Sequence, residues 1–179
     1  MPSPKILATL AVLTLFGCKN RIEKYGEQFS EVMKTHQGLF RGAHLGDSME
    51  KVQEIEDVAV DENTDSLSLI LQVGGSGECT VTYGFESQKL YEINAEAEFE
   101  NLSDGKKLVG GFKEYFNEMY GPCETEKGKL VWKVRKNGPD YGATIEMVDE
   151  NELEDFGFWH LIIYRQINPE ITPDSMLNS

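Results

Sequence analysis

The sequence predicts an α+β fold made of two successive units, each a helix followed by a three-stranded antiparallel meander, with the helices packed on one face of the sheet. Three observations predict it. Helical apolar spacing gives way to alternation from residue 66, the same order of helix then alternating runs recurs from residue 101, and glycine-rich or polar turns separate the alternating runs.

The first element in chain order is a leader. Lys5 precedes an uncharged run from Ile6 to Gly17, and polar sequence starts at Lys19. A bilayer-crossing helix needs roughly 20 apolar residues, so the run has the proportions of a secretory signal. Leu15-Phe16-Gly17-Cys18 resembles the bacterial lipobox. That resemblance implies lipid transfer to the Cys18 thiol, cleavage after Gly17 and acylation of the new amino group. Several acyl chains hold a protein stably at a membrane where one holds it marginally. The expected organisation is therefore a signal peptide at 1–17, a lipidated Cys18 with an amphipathic or tether helix at 18–38, an α+β domain at 39–167 divided into 39–100 and 101–167, and a tail at 168–179.

In the tether segment, Ile22, Tyr25, Phe29, Val32 and Met33 fall on one helical face. Asp47 is the expected N-cap of a short helix over 48–56, with Glu50 completing a capping-box-like pair and Met49, Val52 and Ile55 on one side. Leu67, Leu69, Leu71 and Val73 then alternate with polar residues, apart from Ile70. After the GGSG turn at 74–77, Cys79, Val81, Tyr83 and Phe85 form a second apolar row, and Tyr91, Ile93, Ala95, Ala97 and Phe99 a third. Apolar residues on one side and polar residues on the other describe a sheet covered on one face.

Asn101 opens a second helix whose stripe is Leu108, Phe112, Tyr115, Phe116 and Met119, and Gly121-Pro122 ends it. Leu130, Trp132 and Val134 form the next row, and Tyr141, Ala143, Ile145 and Met147 the one after. The last run, 156–167, is apolar on both sides up to Arg165, which predicts a central strand or one covered by the tether.

Phe40-Arg41-Gly42, Gly46-Asp47-Ser48 opening a helix with Val52, and later Tyr120-Gly121-Pro122 resemble the pattern of small bacterial envelope lipoproteins of the SmpA/BamE type. The tandem helix-plus-sheet arrangement is similar to the β-lactamase-inhibitor-protein fold. The resemblance spans residues 39–167 and implies a binding scaffold without catalysis. SmpA-like members carry one unit where two are expected here, and they support outer-membrane protein assembly.

Charge narrows the partners. The chain carries a formal net charge of −14, one unit more negative once the lysine-bearing leader is removed. Nucleic acid and anionic headgroups both repel such a surface. Chemistry-bearing motifs are sparse. Asp61-x-Asn63-x-Asp65 opens like a calcium loop, but Ser66 stands where glycine is needed and Gln72 where a bidentate Glu belongs. His36, His44 and His160 lack zinc-ligand spacing, and His160 is expected in the core. No nucleophile elbow, phosphate loop or Cys-x-x-Cys is present, so neither enzyme, metal site nor cofactor is expected. Cys79 and Cys123 form either a bridge between the two units or two free thiols, at least one of them buried.

Two functional expectations remain. The first is a non-catalytic, membrane-anchored interaction module that presents Ser66, Ser68, Thr80, Thr82, Lys133, Arg135, Thr144 and Glu146 to another envelope protein. Its expected place is the cell envelope, the outer membrane before the inner. The second is a periplasmic small-ligand binder built on Trp132, Tyr141, Phe156, Phe158 and Trp159.

Overall fold

A computed structural model describes residues 20–57, 65–75, 77–149 and 158–165. Cys18 and the expected leader, most of the Asp61–Asp65 segment, Phe156 and residues 168–179 lie outside the described residues. The chain is α+β, with helices laid against one antiparallel sheet.

Helical apolar spacing near the N-terminus yields two pieces, α1 (Asn20–Glu23) and α2 (Glu27–Met33). Gly26 separates them at φ 105°, a left-handed setting that a right-handed helix cannot continue through. Tyr25, Phe29, Val32 and Met33 are fully or almost fully buried, so this segment belongs to the core from Tyr25 onward.

The Phe40-Arg41-Gly42 motif is a tight turn. Arg41 and Gly42 both have positive φ, and Ala43 N–H closes onto Phe40 O at 2.9 Å. The loop then bonds to the third strand through Gly46 N–H to Leu90 O and Leu90 N–H to Asp47 O. Helix α3 (Met49–Glu56) follows, capped by Ser48, whose side chain accepts from Lys51 N. The expected cap, Asp47, lies one residue too early. Its carboxylate instead accepts from His44 N–H and from Lys51 Nζ, holding the approach to the helix.

Among the described residues seven strands form one sheet: β1 (Ser66–Val73), β2 (Gly77–Glu86), β3 (Lys89–Glu98), β4 (Glu124–Glu126), β5 (Lys129–Lys133), β6 (Ala143–Val148) and β7 (Phe158–Arg165). Their order is β1-β2-β3-β7-β6-β5-β4, antiparallel throughout. This sheet is larger than the two three-stranded meanders expected. The extra strand, β4, has three residues, too few for alternation to register. It is closed to β5 by Lys127-Gly128 with both φ positive, as Ser87-Gln88 closes β2 to β3.

Two expected inward residues are displaced. A register shift beside Gly84 leaves Tyr91 as the extra residue, 45% exposed, with its ring lying over Gly84, and turns Leu90 inward. Tyr141 precedes β6 in a loop and is 59% exposed. The expectation of a central final strand holds, since β7 is fourth of seven.

Helix α4 (Leu102–Tyr120) is capped by Asn101, whose side chain accepts from Ser103 N–H, and stops at Gly121. Leu108, Phe112, Tyr115 and Phe116 are buried. Phe112 stacks on Trp159 at 5.2 Å between centroids, and Phe116 meets Trp132 at the same distance. Phe29 of α2 lies 4.7 Å from Phe112. Gly111 permits that approach, because a Cβ there would sit 2.4 Å from Tyr25 O and 2.8 Å from Phe29 Cβ. The inward sheet residues Val81, Tyr83, Ile93, Ile145, Leu161 and Ile163 complete this core.

Candidate interaction face

Because the helices bury one side of the sheet, alternate residues of all seven strands share the other side. The register sets them in rows. Ser68, Thr82, Asn94, Ile162, Glu146, Val131 and Glu124 form one, and Ile70, Thr80, Glu96 and His160 lie beside it.

The expected interaction residues fall into distinct settings on this face. Ser68 is exposed and its Oγ lies 3.0 Å from Thr82 Oγ1, while Thr80 and Thr82 are half-buried. Lys133 is exposed and donates through Nζ to Thr144 Oγ1 at 3.2 Å. Thr144 itself is buried, so it is an internal acceptor under Lys133 rather than a presented hydroxyl, a correction to its expected role. Arg135 lies just beyond the end of β5 and is exposed.

Side chains from distant parts of the chain converge at the centre. Glu146 accepts from Tyr164 Oη at 2.6 Å and from Lys129 Nζ at 3.0 Å. Burial alone would raise the Glu146 pKa, but these two donors outweigh it and hold the carboxyl below its usual value. The same bond, with burial second, pushes Tyr164 up to about 12. His160 is not in the core: it faces outward, with Nε2 2.8 Å from Asn94 Oδ1. Burial lowers its pKa despite Glu96 nearby, so the ring is neutral at pH 7 and its 3.9 Å approach to Glu96 is no ion pair. A recess of about 160 Å³ lies between Lys127, Lys129, Glu146, Phe158, His160 and Ile162. On the far side of Phe158, 41% exposed, a broader hollow is lined by Glu78, Thr80, Glu96 and Glu98. The face is therefore acidic over β2 and β3 and mixed in charge toward the β4–β5 turn, where Lys127 and Lys129 lie beside Glu126 and Glu146. Glu146 was legible as a polar-face residue, but its partners Lys129 and Tyr164 were not.

A second ionic cluster sits on the helix side. Arg41 grips Glu56 with two bonds, Nε to Oε1 at 2.7 Å and Nη2 to Oε2 at 2.8 Å, and also donates to Val32 O. Tyr83 Oη donates to Glu56 Oε1, and Lys34 Nζ lies 3.4 Å from Oε2. Burial opposes the charge on Glu56, but Arg41 and Tyr83 overcome it and keep the carboxyl below its usual range. Every charge in the cluster has an opposite partner, the arrangement a buried ion pair needs to persist.

The remaining candidates separate. Cys79 and Cys123 are free. Cys79 lies on β2 and Cys123 borders β4, five strand spacings away, or roughly 24 Å at about 4.8 Å per spacing, whereas a bridge needs Cα atoms within about 7 Å. The bridge considered from the sequence is therefore not formed. Burial pushes the Cys79 thiol up to about 12, leaving it protonated. The aromatic set does not assemble either: Trp132 and Trp159 are core, Phe158 is on the opposite face and Tyr141 is in a loop. His44 Nδ1 pairs with Asp140 Oδ2 at 2.6 Å, binding the first loop to the one before β6. Among the described residues, no cluster of His, Cys, Asp or Glu is arranged to hold a metal ion, and no helix is long and apolar enough to cross a membrane. Comparison with family models, curated proteins and solved structures returns no match.

Proposed function

We propose that this chain is a lipid-anchored envelope module that binds a partner protein through the outer face of its sheet and carries out no catalysis. The observation that carries the reading is the polarity of the two faces. One is filled by α2, α4 and a dense aromatic core, while the other spans seven strands and carries carboxylates, amines and partly exposed hydroxyls around Phe158 and Ile162. A partner complementary to that face would set basic groups against Glu78, Glu96 and Glu98 and meet a mixed set of charges at the β4–β5 end. Anchoring through Cys18 would hold the face at the membrane surface, at the outer membrane in preference to the inner.

The finer architecture belongs to the same proposal. The meanders β1–β3 and β5–β7 meet at their last strands, β3 and β7, in the manner of two joined helix-plus-three-strand units. This is the arrangement that the resemblance to SmpA-like and inhibitor-like proteins implies.

Two substitutions test the reading in cells. Cys18→Ser should move the protein out of the membrane fraction. Phe158→Glu, at an exposed position, should abolish crosslinking to one reproducible envelope partner while leaving the fold intact by circular dichroism. Membrane retention of an uncleaved Cys18→Ser protein overturns the anchor, and undiminished crosslinking of Phe158→Glu overturns the face.

A further inference from the structure

The two edges of the sheet are unlike. At one end β4 is three residues long, fully exposed, and carries Glu124 and Glu126. At the other end β1 runs for eight residues, SLSLILQV, without a charge, a proline or a bulge in its pairing to β2. Proteins ordinarily blunt an exposed edge by shortness, charge, proline or bulging, because its free N–H and C=O groups template further pairing. The edge at β4 is short and charged, and β1 has none of these protections. Among the described residues, no backbone hydrogen bond reaches Leu67–Val73 except from β2.

The side chains of β1 carry the same message. Ile70 is 64% exposed, the most exposed of the large apolar residues described. Leu69 and Leu71 point to the helix side yet remain only partly buried, so the core ends before the strand does.

We propose that β1 is a self-pairing edge, through which two copies of this chain join antiparallel about a two-fold axis at Ile70 into one continuous sheet. That register sets Ile70 against its own copy, Leu69 against Leu71, Leu67 against Val73, and Ser68 against Gln72. Each apolar residue meets an apolar one, the polar pair meets itself, and the helix sides of both sheets stay aligned because directly opposed residues share a face. Charge selects the same occupant. Two chains of net charge −14 repel over most of their surfaces, and β1 is an eight-residue strand where they approach without opposing like charges. The unlike opposite edge makes the assembly closed: β4 offers three residues, too few to receive β1 and propagate a filament. One strand pair buries an area at the lower end of specific interfaces, so association in the micromolar range is expected.

The test uses the full chain in detergent with Cys123→Ala as background. Ile70→Cys places two thiols directly opposite each other, within bridging distance, and mild oxidation should give a covalent dimer in high yield. Gln72→Cys alone should not, since the two copies of that residue lie about 13 Å apart along the strands. A mixture of Ser68→Cys and Gln72→Cys should give the mixed dimer, and Glu124→Cys at the other edge should give none. Sedimentation should show a dimer for the unaltered chain, and Ile70→Lys should weaken it at least tenfold by opposing two like charges. A monomer at about 100 µM, well above a micromolar Kd, overturns the proposal, as does equal crosslinking at all positions. Neither result bears on the outer face, which is tested separately through Phe158.

Discussion

Glu56 and Glu146 make the same kind of cluster in opposite settings. Each carboxylate accepts a tyrosine hydroxyl and a cationic side chain, Tyr83 and Arg41 in one case and Tyr164 and Lys129 in the other. Glu56, the last residue of α3, is turned inward with its side chain about 1% exposed, and Glu146 lies on the open face at 22%. Burial decides what the chemistry is for. In the interior the charges hold one another because nothing else can solvate them, and they pin the Phe40–Gly42 turn, α2 and α3 to β2. On the open face water shares the task, so the cluster adds little stability and its groups remain available to a partner.

Removing one charge should separate the two most sharply. Glu56→Gln leaves the Arg41 guanidinium buried without a counter-charge, and about 3–5 kcal/mol should be lost in denaturant unfolding. Equal losses for Glu56→Gln and Glu146→Gln would erase the distinction. A smaller effect is expected from the tyrosines. Tyr83→Phe should cost about 1.5–3 kcal/mol, the range for a hydrogen bond to a charged group, and Tyr164→Phe about 1 kcal/mol or less.

The smallest contrast is in pH dependence. Both carboxyls are held below their usual range in the folded protein, so each contributes stability above the unfolded value of about 4.3 that is lost as pH falls through the folded value. His160, whose pKa is also lowered, favours the neutral ring when folded, so its contribution is present above about 6.5 and fades below it. A pH series should therefore show a shallow loss beginning near 6.5, which His160→Gln removes, and a steeper loss below 4.3, which it does not.

The parts of the fold legible in the sequence are those governed by local periodicity. The Leu108–Phe112–Tyr115–Phe116 stripe, the alternation of β1 and β2, and the stop at Gly121-Pro122 stand as expected, since each depends on neighbours a few residues away. Tyr91 failed the same reasoning because a bulge is one extra residue whose effect depends on the opposite strand. The cap of α3 moved by one residue because Asp47 is engaged by His44 and Lys51 while the loop is bonded to β3.

The candidate site was legible only as a polar face. Ser68, Thr80, Thr82 and Lys133 follow from period two, which assigns a side but not a neighbour. Tyr164, Glu146 and Lys129 meet because β7 pairs with β6 and β6 with β5, and His160 meets Asn94 across a separation of 66 residues because β7 pairs with β3.

By itself the sequence determined the class of fold, the limits of most elements and the side to which most residues turn, because propensity and amphipathic spacing act over a few residues. The tertiary structure alone decided the order of the strands, the separation of Cys79 from Cys123, the burial of Arg41 with Glu56 and the unlike edges at β1 and β4. Those depend on which surfaces meet after the chain collapses, and no short-range pattern encodes that choice.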